Sequence, residues 1–132
     1  MSGERKSERP VILVVDDNES HHKLLELMAN RLGVKVHCAL SCRHALDALE
    51  ASRYHLILMD YRMPEIDGCA CTKIIRDKNE HKEVPIIAVT AVEHPTSRLE
   101  CLEAGMNDFL AKPFSLRQLQ EVIQSWLDRD KS

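Results

Sequence analysis

Apolar and polar positions alternate between two periods along the chain. "VILVV" at 11–15 is an unbroken, largely β-branched apolar run, the pattern of a strand covered on both faces. "HLILM" at 55–59 and "VPIIAVT" at 84–90 share that character. Pro85 costs little near a strand start, where no ladder donor is needed. "VKVHC" at 34–38 alternates, as a strand near a sheet edge does, and "NDFLA" at 107–111 reads as another short strand. Helix-period runs separate these segments. Residues 20–32 place Leu24, Leu27, Met28 and Leu32 at helical spacing and stop at Gly33. Residues 43–52 carry Ala45, Leu46, Ala48 and Leu49, and residues 67–77 carry Ala70, Cys71, Ile74 and Ile75. "PTSRLECLEAG" at 95–105 reads as a short helix, with Ser97 and Glu100 at capping-box spacing and Gly105 as the stop. The strongest helical pattern is 115–127. Ser115 and Gln118 form a second capping box, and Leu116, Leu119, Val122, Ile123, Trp126 and Leu127 make one apolar stripe.

Alternation of buried strands with helices implies an α/β fold: a five-stranded parallel sheet, doubly wound, with helices on both faces. Five strands are too few for an eight-stranded barrel. In such a sheet, ligands bind beyond the carboxyl ends of the strands. Those ends carry the polar residues here. Asp16 and Asp17 follow the first strand, Asp60 follows the third, Thr90 ends the fourth, and Lys112-Pro113 follows the fifth. If the first and third strands are neighbours, their acids lie about one strand spacing, ~5 Å, apart. Each like-charge pair then costs roughly 3 kcal/mol at an effective dielectric near 20. Lys112 offsets part of that cost and a divalent cation would offset more; clustered oxygens suit Mg²⁺. Acids, a lysine and a hydroxyl together are the parts of a phosphoryl-handling site.

Composition narrows the class without changing it. The 132 residues, 44% hydrophobic and 30% charged, are those of one soluble globular domain. A net charge of −3 provides no overall basic field, so direct binding of nucleic acid or a membrane surface is not expected. "MSGERKSERP" lacks the apolar core of a secretory signal, and residues 1–9 are expected to be a disordered lead-in. Cys38, Cys42, Cys69, Cys71 and Cys101 are odd in number and form no Cys-x-x-Cys. Reduced thiols in a cytoplasmic protein are therefore expected, rather than a disulfide framework or a zinc site. Cys69 and Cys71 point to different sides of their helix and are assigned no chemistry. Seven histidines are scattered; His21 and His22, at a helix start, are expected on a solvated face. Asp67-Gly68 reads as turn chemistry, and Trp126 as packing.

"VVDDNE", "LILMDYRMPEIDG", "VTA" and "FLAKPF", in that order, resemble the receiver domain of response regulators, the CheY-like family of two-component signalling. The resemblance covers roughly residues 10–128. It implies the strand order 2-1-3-4-5, a receiver domain at 10–129 and a tail at 130–132. It implies that Asp60 accepts a phosphoryl group from phosphohistidine of a histidine kinase or histidine phosphotransfer domain. Asp16, Asp17, Asp60 and the backbone carbonyl of Arg62 would hold Mg²⁺, with Mn²⁺ a plausible substitute. Thr90 and Lys112 would contact the phosphoryl oxygens, Thr90 and Phe109 would act as the switch, and Pro113 would follow a cis bond. Arg62 and Val92, each two residues beyond a site residue, would tune the lifetime of the acyl phosphate. The reader would dock on the face formed by the fourth helix, fifth strand and fifth helix. The chain would be a monomer or a weak phosphorylation-dependent dimer, and a switch rather than an enzyme. "CLEAGMNDFLAKPF" further resembles receivers fused to hybrid histidine kinases.

Two other classes share the topology. A phosphatase with an aspartyl nucleophile would want a second acid two residues beyond Asp60, where Arg62 stands. A flavodoxin-like cofactor binder would want Gly, Ser and Thr in its first loop, where "DDNES" is acidic.

Overall fold

The computed structural model describes residues 9–91 and 97–130. Its strands are β1 (Val11–Val15), β2 (Lys35–Ala39), β3 (Leu56–Asp60), β4 (Ile86–Ala91) and β5 (Asp108–Lys112). Its helices are α1 (Glu19–Leu32), α2 (Cys42–Ala51), α3 (Gly68–Arg76), α4 (Ser97–Ala104) and α5 (Leu116–Asp130). A 3₁₀ turn at Asn79–His81, for which the apolar pattern carries no signal, joins α3 to β4. Among the described residues the strands form one parallel sheet in the order β2-β1-β3-β4-β5. The doubly wound arrangement and its strand order are therefore as expected.

Local chemistry sets the helix ends. Asn18 caps α1 by accepting from the Ser20 N–H at 2.8 Å, and Gly33 closes it with a left-handed φ of 77°. Asp67 caps α3 through the Ala70 N–H at 2.8 Å. The capping box before α5 forms reciprocally: Ser115 N–H donates to Gln118 Oε1 at 2.8 Å, and Gln118 N–H to Ser115 Oγ at 3.1 Å. The Ser97 side chain lies outside the described ones.

Two apolar layers sandwich the sheet. α1 and α5 cover one face, where Leu25, Ala29, Leu119 and Ile123 meet Ile12, Val14, Leu58 and Ile87. α2, α3 and α4 cover the other, where Ala45, Leu49, Ile75 and Cys101 meet Leu13, Ile57, Met59 and Ala88. The stripe of α5 is as the sequence implies. The phase of α1 is not: Leu24 and Leu27 are 57% and 66% exposed, and the buried line is His22, Leu25 and Ala29. Spacing alone admits either stripe, and the sheet selects the one that includes a histidine. α3 is rotated similarly, with Cys69, Cys71, Thr72 and Ile75 inward and Ala70 outward.

The expectation of reduced thiols is overturned at one pair. Cys42 of α2 and Cys71 of α3 form a disulfide with Cα atoms 5.7 Å apart, a separation ordinary for such bonds. An odd count does not reveal which cysteines neighbouring helices bring together. Lys112-Pro113 is cis, as the resemblance implies. Among the described residues no helix is long and apolar enough to cross a membrane.

Candidate functional site

Strand register assembles the site. Val15 pairs with Met59, which sets the residues following them, Asp16 and Asp60, side by side at one rim. Asp16 N–H donates to Ala39 O at 3.0 Å, tying the end of β1 to β2. Asp16 is 4% exposed, whereas Asp17 faces outward. One carboxylate oxygen from each of Asp16, Asp17 and Asp60 lies within 4.8 Å of the others. Three hard oxygen donors suit Mg²⁺ or Ca²⁺ rather than a thiophilic ion.

Lys112 comes from the far side of the sheet. Ala91 pairs with Lys112 at the ends of β4 and β5, and the lysine Nζ reaches 3.6 Å from both Asp16 Oδ2 and Asp60 Oδ1. One cation against three carboxylates leaves the cluster with excess negative charge, which is the condition a divalent ion relieves. Asp60 feels its burial more than that excess. Burial pushes its carboxyl up to about 6, Lys112 opposes the rise, Asp16 and Asp17 add to it, and a hydrogen bond from the Arg62 backbone lowers it.

Two histidines border the rim; His22 overturns the expectation of a solvated face, while His21 keeps a side chain that is 41% exposed. His22 is buried, with Nε2 2.6 Å from the Asp16 carbonyl oxygen. His21 Nδ1 is 2.8 Å from Asp16 Oδ2 and 3.4 Å from Lys112 Nζ. Asp16 Oδ1 accepts from the Asn18 N–H at 2.9 Å. The acid that the strand delivers is therefore held at its carbonyl and at both carboxylate oxygens. The detectable signal was phase: His22 falls three residues before Leu25 and seven before Ala29, on the buried face.

The loop after β3 folds back on the strand ends. Tyr61 N–H donates to Val89 O at 3.0 Å, and Gly68 N–H to Tyr61 O at 2.9 Å. A Cβ on Gly68 would collide with the Asp60 carbonyl oxygen. Asp67-Gly68 thus supplies a helix cap and a place for close backbone approach, more than a turn. The Tyr61 hydroxyl donates to Glu100 Oε1 on α4 at 2.7 Å, and this bond pushes the phenol up to about 12. The Arg98 guanidinium of α4 sits 4.6 Å from the centre of the Phe109 ring. Phe109 itself is half-buried at the start of β5. Thr90 is the penultimate residue of β4, paired with Ala111 and half-buried. Arg62 is exposed on the loop. Val92 lies outside the described residues. Trp126 does more than pack, since its Nε1–H donates to Asp108 Oδ2 at 2.8 Å.

The family model for the response regulator receiver domain matches residues 12–124. The chain is 34% identical over 123 residues to the sensor histidine kinase GacS of Pseudomonas protegens, covering 91% of this chain and 13% of that protein. It is 35% identical over 121 residues to the transcriptional regulatory protein SrrA of Staphylococcus aureus, covering 92% of this chain and 49% of that one. It thus spans about half or less of the length of these relatives. Among solved structures, the receiver domain of the sensor histidine kinase PA1611 from Pseudomonas aeruginosa superimposes with a TM-score of 0.84 at 40% identity, covering 92% of this chain and 99% of that one. That structure holds a magnesium ion coordinated in its active site cleft. The Vibrio cholerae chemotaxis protein CheY4 gives a TM-score of 0.86 at 28% identity, covering 91% and 100%.

The fold and the acidic rim define a two-component signalling switch of the CheY-like type. The chain belongs to the response regulator receiver family.

Proposed function

We propose that this receiver takes a phosphoryl group onto Asp60 and passes the change to α4. One observation supports this most: three carboxylates meet at one rim while Lys112 Nζ stands 3.6 Å from both Asp16 and Asp60. An Asp60 carboxylate oxygen attacks the phosphorus of a phosphohistidine. The O–P bond forms as the N–P bond breaks, and the departing imidazole takes up a proton. The donor is a histidine kinase or a histidine phosphotransfer domain.

Asp16, Asp17, Asp60 and the Arg62 carbonyl would hold Mg²⁺, which supplies charge neutralisation at the transferring oxygens. Lys112 neutralises the same charge from the β5 side. The Thr90 hydroxyl donates to a phosphoryl oxygen once transfer is complete, and Phe109 follows it as the second half of the switch. The reader docks on the α4–β5–α5 surface.

Intact mass decides the acceptor. With Mg²⁺ and a small acyl phosphate, wild type gains one phosphoryl group and Asp60→Asn gains none. Equal gain in the variant, or no gain in wild type, overturns the assignment. Arg62 and Val92 set the lifetime of the product by restricting the approach of hydrolytic water. In the Arg62→Ala, Val92→Ala double variant the aspartyl-phosphate half-life shortens; an unchanged half-life removes them from that role.

A further inference from the structure

Four of the five cysteines lie beneath the α2–α3–α4 layer: Cys42, Cys69, Cys71 and Cys101 all belong to one buried cluster. Two of them, Cys42 and Cys71, already join α2 to α3. On the other side of α3 the Cys69 thiol contacts Cys101 of α4, with the sulfurs 3.6 Å apart. Residues 69 and 71 are about 200° apart around a helix, so α3 offers one cysteine to each neighbour. The remaining cysteine, Cys38, is exposed on β2 and belongs to neither pair.

We propose that Cys69 and Cys101 are an oxidative modification site, closing to a second disulfide that ties α3 to α4 when a small peroxide reaches them. A disulfide needs its sulfurs at about 2.05 Å, so the two sulfurs must approach by roughly 1.5 Å from their 3.6 Å contact. In the first step one thiolate attacks a peroxide oxygen; the S–O bond forms, the O–O bond breaks, and hydroxide leaves and is protonated to water. In the second step the neighbouring thiolate attacks that sulfenic sulfur; the S–S bond forms, the S–O bond breaks, and the oxygen leaves as water after protonation. Two electrons pass from the sulfurs to the peroxide. Cys69 and Cys101 are 4% and 0% exposed, and burial pushes the Cys69 thiol up to about 12 and the Cys101 thiol upward. The pair is therefore protonated and shielded at rest, and each attacking thiol must first lose its proton to water in a transiently opened α4, so the reaction is slow and follows that open population.

The bridge forms without any phosphoryl group, so its test is independent of the Asp60 chemistry. The full chain with Cys38→Ala is treated with hydrogen peroxide in its native state and digested with trypsin without reduction. The existing disulfide joins peptides 36–43 and 63–73. Oxidation is expected to add peptide 99–117 to that pair, with loss of two hydrogens from the intact mass and full reversal by a dithiol. Cys101→Ala and Cys69→Ala should each abolish the three-peptide species. The species persisting in either variant, or its absence from the oxidised parent, overturns the proposal. So does irreversible oxygen addition at Cys69 in place of the bridge. Native trypsin cleavage after Arg98, on α4, should slow at least about threefold once the bridge is closed, because cleavage follows the open population. An unchanged rate overturns the tie to α4.

Discussion

Asp60 carries its cost before any signal arrives. Its carboxyl sits near 6 against an ordinary 3.8, so without metal the folded chain holds this proton more tightly than the unfolded chain. Its contribution to stability is present below pH ~4 and is lost as pH rises through about 6. The shift of roughly two units corresponds to ~1–2 kcal/mol after discounting for partial solvent exposure. Asp60→Asn should therefore raise the melting temperature of metal-free protein by about 3–6 °C at pH 8. The gain should shrink as pH falls below about 6, vanish only below pH ~4, and shrink when Mg²⁺ is added to wild type at pH 8. A melting difference independent of pH would refute this account. Asp16, Asp17, Asp60 and Lys112 were legible as a cluster because each directly follows or ends a buried run, and a parallel sheet sends all such ends to one rim. His21 and His22 were not. Their role depends on which of two equally spaced stripes α1 turns toward the sheet, and the packed structure decides that.

At the scale of elements, the number and alternation of strands and helices followed from periodicity, strand order came only from the family resemblance, and helix rotation came from neither. Apolar residues on α1 and α3 are numerous enough to permit two phases. The loop from β3 to α3 shows what a single element contributes to the site. Gly68 brings α3 against the Asp60 carbonyl, and its N–H bonds Tyr61 O at 2.9 Å. Gly68→Ala should push α3 away from the strand end, costing ~1–3 kcal/mol as overpacking does. Because that strand end carries a site carboxylate, Mg²⁺ affinity measured by equilibrium titration should fall about tenfold or more. A stable variant with unchanged Mg²⁺ affinity would show that the close approach serves packing alone. The disulfide was illegible for a related reason. Cys42 and Cys71 are 29 residues apart in sequence, and only the side-by-side placement of α2 and α3 makes them partners.

At the scale of the whole molecule, among the described residues, α4 is tied to the loop beside the acidic rim by Tyr61 to Glu100 and to β5 by Arg98 to Phe109. Tyr61 directly follows the proposed acceptor Asp60 and Phe109 belongs to the switch proposed above, so on that reading both contacts would hold α4 before phosphorylation. Tyr61→Phe removes one hydrogen bond worth ~0.5–1.5 kcal/mol. If the released form accepts phosphate more readily, uptake from a small acyl phosphate should quicken by about two- to tenfold. Glu100→Gln, which keeps an acceptor, should change it less. Equal rates in wild type and Tyr61→Phe would break that link. The two helical layers also differ in grip. α5 sets Leu119 and Ile123 fully into the sheet and lays Trp126 and Leu127 beside them. Among its described side chains α4 buries Cys101 and Ala104, and leaves Leu99 and Leu102 at 66% and 51% exposure. Each buried methylene adds ~0.8 kcal/mol, so α4 is held by far less than α5. In amide hydrogen exchange, α4 should open as its own low-energy unit, well below the global unfolding free energy, while β1 and β3 exchange only with the whole. On the switching proposed above, α4 would then need little work from a single phosphoryl group, because the fold has left that helix only lightly moored.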